Sequence, residues 1–516
     1  MTGILSAEEM RSLESAEIGA GRASGLELME RAGGGVVEAI FATWPELAAA
    51  PRSALVLSGP GNNGGDGFVV ARMLRARGWQ VRLALLGDAT RLPQDARANH
   101  DRWLELGGCE RLDASILDDV AVSGAAAPDL VVDALFGTGL TRPLEGELAM
   151  LLGRLEPLRV DAGTKVVAVD IPSGLCSDSG RVLGHAVFAD LTVSFHTAKL
   201  GHYLGAAEEH CGRLVVHDIG LPQTAGRGAV CLLRAPRAEV LAKPSVGHKY
   251  TQGHALVLTG GAGHTGAARL AARAALRVGA GLVTLGVPQS AMEEVAAQIT
   301  ALMMVEVVDF AALRSVLEDR RFNALCLGPG LGVTQHSRAL VEVALAAGRA
   351  TVLDADALSL FRDGPEELFE LLHSDCVLTP HGGEFARIFP DLARRLAAPA
   401  QHGPAYSAVD AARAAAERAG CVVLLKGRST VIAAPDGRCA IHAAIYDRSA
   451  PWLATAGAGD VLAGLITGLL ARGLPPMQAA GTAAWLHVEA ARRFGPGLIA
   501  EDLPETLPQV FRDLGL

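Results

Sequence analysis

Runs of basic residues are missing from this chain. So are any C-x-x-C pair, any long uninterrupted apolar stretch, and much aromatic content. Lysine and arginine number 46 against 56 aspartates and glutamates, a formal net charge of −10. That balance argues against nucleic acid as a partner. A small molecule carrying phosphate stays compatible, because loop amides can hold it locally. The eight cysteines, at 109, 176, 211, 231, 326, 376, 421 and 439, lie mostly in or beside apolar stretches; reduced core thiols of a cytoplasmic protein are expected. The longest late apolar run, Val461 to Ala471, is 11 residues and contains Gly464, Thr467 and Gly468, well short of a membrane span. The opening MTGILSAEEMRSLESAE carries acids and lacks a signal peptide's apolar centre. The expectation is a cytoplasmic protein without a membrane partner. Aromatic residues make up 4% of a chain that is 50% hydrophobic, and Ala, Gly, Val and Leu dominate, as in parallel sheets covered on both faces.

At 516 residues the chain can bury two large cores. An amphipathic opening helix (Leu26, Met29, Ala32, Val36, Val37, Ile40) precedes strand-like runs at 53–57, 81–86, 130–132, 166–169 and 191–195, with helical stretches between them. The rhythm loosens between about 221 and 250, around Pro222, Pro236 and Pro244. A second series follows at 255–258, 282–287, 324–327, 351–353, 376–378, 422–425 and 430–433. Alternating strands and helices predict doubly wound parallel sheets. Two α/β domains are expected, 1–222 and 223–516. The Ala-rich segment 396–420 reads as a loop and helix of the second, with Ser407 and Asp410 spaced as a capping box.

Ligands of open α/β sheets sit outside the carboxyl ends of the strands. Three predicted strand ends of the first half carry polar groups there: Gly59 to Phe68 (GPGNNGGDGF), Asp133 in VDALFGTGL, and Asp170 with Ser173 in VDIPSG. Gly59, Gly61 and Gly64 fit G-x-G-x-x-G, but Gly65-Asp66 stands where a phosphate loop needs Lys-Ser/Thr. A tight turn is the plain alternative for the glycines, and a turn or helix cap for each polar residue. Converging Asn, Asp and Ser oxygens suit a hard cation rather than zinc.

PGNNGGDG, VDALFGTGL and VDIPSG, together with the opening LELMERAG, resemble the NAD(P)HX epimerase domain of metabolite-repair enzymes over roughly residues 10 to 220. The resemblance implies a Rossmann-like three-layer domain. It also implies potassium bound by Asn63, Asp133 and Ser173. Substrate contacts would come from Asn62, Asn63, Gly64, Gly65 and Asp66, from Gly137, Thr138, Gly139, Leu140, Thr141, Arg142 and Pro143, and from Asp170. Asp170 is the acid/base candidate, because inverting a hydrated carbon requires proton transfer at its hydroxyl.

In the second half, TAGAGD (455–460) opens an apolar helix, Val461 to Leu470. Small residues free helix N-terminal amides for an anion, and Asp460 stands beside them; the plain alternative is Asp460 as an N-cap. GPGLG, DADAL, TPHGGE and KGRST fall at or just after other strand ends. Together these motifs resemble the ribokinase-like fold, and within it the ADP-dependent NAD(P)HX dehydratases, over about 225 to 515. That resemblance implies nucleotide binding by Lys426, Gly427, Arg428, Ser429, Thr430 and Gly459, and substrate contacts from Ala267, Gly332, His381 and Asp460, with Asp460 catalytic. ADP is the implied co-substrate and Mg²⁺ its companion ion. The family commonly has proline where this chain has Gly382.

The expected function is repair of hydrated nicotinamide cofactors: epimerisation of R and S NADHX and NADPHX, and ADP-dependent dehydration of the S form. A homo-oligomer is expected. The alternative is a ribokinase-like small-molecule kinase with an N-terminal nucleotide-binding regulatory domain; a catalytically silent N-terminal binding module is a third reading.

Overall fold

A computed structural model describes residues 2–117, 127–222, 230–244 and 248–516. The expected domain junction at 222/223 adjoins residues 223–229, and part of the expected 221–250 connection lies outside the described residues. The chain divides into two compact units. One comprises Gly3–Ala229 with Ala398–Ser407, the other Met1–Thr2, Val230–Ala397 and Ala408–Leu516. Sequence order alone therefore does not define them.

The first unit is built on a seven-stranded sheet. Across it the strands run Glu110–Arg111, Gln80–Leu85, Ser53–Ser58, Leu130–Ala134, Lys165–Val169, Leu191–Phe195 and Arg213–His217. Every pairing is parallel. Side chains alternate between its faces: Val56, Val132 and Val167 pack with Val36, Ile40 and Val70 of helices Gly25–Thr43 and Asn62–Ala76, while Leu55, Val131 and Val166 pack with Leu151, Leu152 and Leu155 on the other side. Three layers result. Ala405 joins that second cluster, and Gly403 N–H donates to the Thr141 carbonyl at 2.9 Å. The loop preceding helix Ala408–Ala419 thus belongs to the first unit, against the expectation that 396–420 sits wholly in the second. No local periodicity records such a long-range docking.

In the second unit ten strands follow the order Val230–Leu232, Cys439–Ala443, Ser429–Ala433, Val422–Leu425, Cys376–Leu378, Ala350–Leu353, Phe322–Leu327, His254–Leu258, Leu282–Val287 and Met303–Glu306. The two pairings made by Ser429–Ala433 are antiparallel. Helix Ala458–Ala471 is buried along nearly its whole length. It lies close against helix Gly266–Arg277: a Cβ at Gly464 would stand 2.1 Å from the Ala271 carbonyl oxygen, and one at Gly468 2.5 Å from that of Ala275. The small residues of that apolar run therefore serve helix–helix contact. None of the described helices is long and apolar enough to cross a membrane.

Gly464→Ala sets two effects against each other. Helix propensity favours alanine by about 1 kcal/mol, whereas forcing a methyl into a backbone contact costs about 1–3 kcal/mol. At 2.1 Å the neighbour is backbone and cannot swing aside, so the variant is expected to melt at a lower temperature than the parent in a thermal denaturation.

Candidate active sites

The stretch read as a Gly-rich turn is a helix from Asn62 onward, with Gly61 as its N-cap and no side-chain cap bond. Its glycines mostly serve the fold. A Cβ at Gly59 would lie 1.7 Å from the Leu135 carbonyl oxygen, and one at Gly64 2.0 Å from that of Gly59. A Cβ at Gly65 would meet Met29 Sδ at 2.5 Å; only at Gly61, in this stretch, is there nothing within 4 Å. Strand end and helix start thus touch backbone to backbone, which aims the first helical amides outward along the sheet's carboxyl edge.

Asn63 is the second residue of that helix. A Cβ at Gly137 would approach Asn63 Oδ1 at 2.9 Å and Asp170 Oδ2 at 3.1 Å, so the three positions converge. Asn63 Nδ2 is buried without a hydrogen-bond partner. Asp133, fully buried, accepts from Ser173 Oγ at 2.6 Å and Ser173 N–H at 2.8 Å, and Ser173 Oγ accepts from Phe136 N–H at 2.9 Å. Burial pushes the Asp133 carboxyl up to about 6 despite these bonds. Gly137 to Pro143 follow directly, with Thr138, Gly139, Thr141 and Arg142 at the surface or nearly so and Leu140 buried.

Asp170 follows strand Lys165–Val169 and has φ +66°, a state aspartate tolerates better than most residues. Its Oδ1 accepts from Lys199 Nζ at 2.8 Å and Ser194 Oγ at 3.1 Å, while its backbone carbonyl meets His202 Nε2 at 2.8 Å. Lys199 is 1% exposed. Burial alone would raise the Asp170 carboxyl. The Lys199 charge and hydrogen bond, with His202 and Ser194, outweigh it and hold the group below the usual carboxylate range. Oδ2 is left facing Gly137. Asp66 has no hydrogen-bond or ion-pair partner among the described residues. Burial, then the charges of Asp170 and Glu14, pushes it well above its ordinary value.

Lys199, Ser194 and His202 were not among the residues expected from sequence. The signal was there: AKLGH follows strand Leu191–Phe195, the same strand-end position that singled out Asp170.

In the second unit, helix Ala458–Ala471 begins at Gly457, in the left-handed region at φ +87°, with no side-chain cap bond. Asp460 is its third residue, so the N-cap alternative fails on position. A Cβ at Gly459 would lie 3.5 Å from Lys426 Nζ and 3.9 Å from Asp354 Oδ2. Lys426 Nζ donates to Asp354 Oδ1 at 2.6 Å and stands 3.7 Å from Glu384 Oε2. Burial first, then the nearby Asp354 charge, pushes the Asp460 carboxyl up to about 6, with Lys426 opposing. Gly332, at φ +82°, donates its N–H to Asp356 Oδ2 at 2.8 Å, and Ala267 Cβ lies 3.5 Å from the position a Cβ would take at neighbouring Gly330.

The residues from Gly427 to Thr430 lead into strand Ser429–Ala433, and Thr430 Oγ1 donates to the Gly427 carbonyl at 3.1 Å. His381 has a local task. It caps helix Gly382–Ile388 by accepting from Gly383 N–H at 2.9 Å and Glu384 N–H at 3.3 Å through Nδ1. A backbone bridge also sets it beside Lys426. Asp354 and Glu384 stand in motifs the sequence singled out, yet neither was assigned a site role; their link is the shared lysine, far away in sequence.

Two α/β units built on mainly parallel sheets, each with a buried aspartate–lysine pair and a second carboxylate at the carboxyl edge of its sheet, define a two-site α/β enzyme. Comparison with known proteins gives the family. The model for NAD(P)H-hydrate dehydratase matches residues 255–509 and that for the YjeF-related protein N-terminus residues 25–201. The bifunctional NAD(P)H-hydrate repair enzyme Nnr of Moorella thermoacetica is 37% identical over 539 residues, covering 99% of this chain and 97% of the relative. The NAD(P)H-hydrate epimerase of Rhodobacter capsulatus is 52% identical over 226 residues, 43% of this chain and all (100%) of that one. An ADP/ATP-dependent NAD(P)H-hydrate dehydratase from Bacillus subtilis, co-crystallised with ATP/Mg²⁺, is 26% identical with TM-score 0.44, covering 55% of this chain and 99% of that chain. The chain belongs to the family of bifunctional NAD(P)H-hydrate repair enzymes.

Replacing Lys199 by methionine leaves Asp170 buried without its compensating charge. That should cost about 3–5 kcal/mol in the first unit. With only His202 and Ser194 left to oppose burial, the folded-state pKa of Asp170 rises above its unfolded value. The stability loss is then small in acid and deepens as pH climbs past the unfolded value, about 3.9. Thermal melts of Lys199→Met and parent across pH 4–7 check both the size and the slope.

Proposed function

We propose that this chain repairs hydrated nicotinamide cofactors at two sites. The first unit interconverts the R and S epimers of NADHX and NADPHX. The second uses ADP to remove water from the S epimer and return NADH or NADPH. For the first, the carrying observation is Asp170, charged and locked through Oδ1 to Lys199 with Oδ2 directed at Gly137; that oxygen is free to take a proton from the substrate hydroxyl. For the second, it is Asp460 at the uncapped start of helix Ala458–Ala471, beside Lys426. The helix amides and Lys426 hold the phosphates, and Asp460 accepts the hydroxyl proton as that oxygen takes the terminal phosphoryl group of ADP, releasing AMP; phosphate then leaves with its C–O bond as the adjacent ring carbon gives up a proton and the double bond forms. A small-molecule kinase could share this second site. The full-length likeness to bifunctional repair enzymes favours repair.

Potassium fits the first site. Asn63 carries an unpartnered, buried amide, whose oxygen and nitrogen exchange by a simple flip, and Asp133 with Ser173 supplies further oxygen. Asn63, Asp133 and Ser173 would hold the ion, which when bound supplies positive charge that fixes the Gly137 segment. At the second site Mg²⁺ would accompany the nucleotide phosphates, with Asp354 and Glu384 as hard oxygen donors. If the ion reading holds, epimer interconversion falls in potassium- and sodium-free tetramethylammonium buffer and returns with KCl; an unchanged rate there contradicts it.

Asp460→Asn keeps the shape and removes the base. General-base loss costs roughly 10²–10⁴ in rate, so ADP-dependent recovery of NADH absorbance should nearly vanish while melting temperature and epimerisation persist. In the parent, the same rate should fall as pH drops through about 6, where the Asp460 carboxyl takes up its proton. Dehydration by the variant at near the parental rate contradicts the assignment.

A further inference from the structure

A cleft of ≈ 1170 Å³ opens on the first unit beside the site just described. Pro60, from the turn before helix Asn62–Ala76, forms part of its wall, as do Phe136, Arg142 and Pro143 from the segment next to Asp133 and Gly137. Its apolar lining includes Leu86, Leu104, Phe136 and Leu148. It also reaches the end of strand Gln80–Leu85, the neighbour of strand Ser53–Ser58 that leads into the Gly-rich helix. In a dinucleotide site, the groups after this neighbouring strand meet the 2′ position of the adenosine ribose. An acid there accepts from a 2′-hydroxyl, and an arginine receives a 2′-phosphate.

Both residue types follow the strand here, and their commitments differ. Asp88 Oδ1 already accepts from Thr90 N–H at 2.8 Å. Glu110, on the same cleft, is held by two bonds from Arg82, at 3.0 and 2.9 Å. Glu145 also lines the cleft without a partner among the described residues. Against these acids stand Arg91, Arg111 and Arg142, which line the cleft and make no side-chain hydrogen bond or ion pair among the described residues. Arg91 and Arg111 feel the charges of Asp88 and Asp113 without a hydrogen bond to either, so the guanidinium donors on this cleft stay open. A planar fork of donors of this kind suits a phosphate dianion.

We infer that this cleft takes the adenosine half of the hydrated cofactor and that Arg91, Arg111 and Arg142 bind a phosphate on its ribose 2′ carbon, so that the epimerase site favours NADPHX over NADHX. The inference rests on the epimerase reading of the first unit and adds the selectivity of that site. Arg142 lies in the Gly137–Pro143 segment; Arg91 and Arg111 enter from elements outside the sequence motifs.

The test follows epimerisation by the full chain, without ADP so that dehydration is silent, from R-enriched NADPHX and R-enriched NADHX. The parent should show kcat/KM at least about tenfold higher for NADPHX, since each charge-assisted bond is worth about a factor of ten. The double variant Arg91→Gln, Arg111→Gln should lose that preference while keeping its kcat/KM for NADHX and its melting temperature, because neither side chain makes a hydrogen bond or ion pair among the described residues. Adenosine 2′,5′-bisphosphate should inhibit parental epimerisation of NADHX more strongly than AMP does, and the variant should not distinguish the two. Equal parental use of both hydrates, or a preference that survives the double substitution, overturns the inference and leaves the epimerase reading standing. Failure to epimerise either hydrate removes the epimerase reading, and the selectivity with it.

Discussion

A carboxylate buried where a parallel strand ends must be compensated, and in both units a lysine from a distant part of the chain does so. Asp170 meets Lys199 at 2.8 Å and Asp354 meets Lys426 at 2.6 Å. Desolvating two charges costs several kcal/mol each, and only close geometry with further hydrogen bonds recovers it. Ser194, the Phe195 carbonyl and His202 supply those bonds around the first pair; Glu384 supports the second. Each pair ties its sheet edge to a loop, and each leaves a second carboxylate group or oxygen facing outward: Asp170 Oδ2 in one unit, Asp460 in the other.

The backbone brings these groups to the edge. Parallel strands end together, so whatever follows them collects along one rim. Gly59 and Gly64 let helix Asn62–Ala76 start against its strand, and Gly457 lets helix Ala458–Ala471 start without a side chain over its amides. The same helix is anchored at its far end by the Gly464 and Gly468 contacts. An anion-ready terminus and a tightly packed helix are thus two ends of one element. Asp460 shares that terminus, where burial and Asp354 keep its proton affinity close to the range useful for a base at neutral pH.

Strands with continuous apolar runs were legible in the sequence: 53–57, 191–195, 282–287 and 376–378 coincide with observed strands to within a residue. Strands Arg213–His217, Met303–Glu306 and Cys439–Ala443 were not expected. The first two mix exposed with half-buried positions and lack a buried apolar run, and the third has Ile441 as its single branched residue among Cys, Ala and His. Strand-end aspartates were equally legible, because position and residue type coincide. Lys199 and Asp354 escaped assignment because their partners lie 29 and 72 residues away, a separation that no periodicity marks. The docking of Ala405 into the first unit escaped for the same reason. In TPHGGE, Gly382 stands where the family commonly has proline, and His381 caps the helix that starts there.

Recovery of NADH from (R)-NADHX with ADP, Mg²⁺ and K⁺ requires the first site to feed the second. The account predicts near-complete return of NADH absorbance with the parent chain. With Asp170→Asn it predicts fast recovery of any S epimer present, and of the R epimer only at the spontaneous rate. Recovery by Asp170→Asn as fast as by the parent, or parental recovery without any nucleotide, would contradict it.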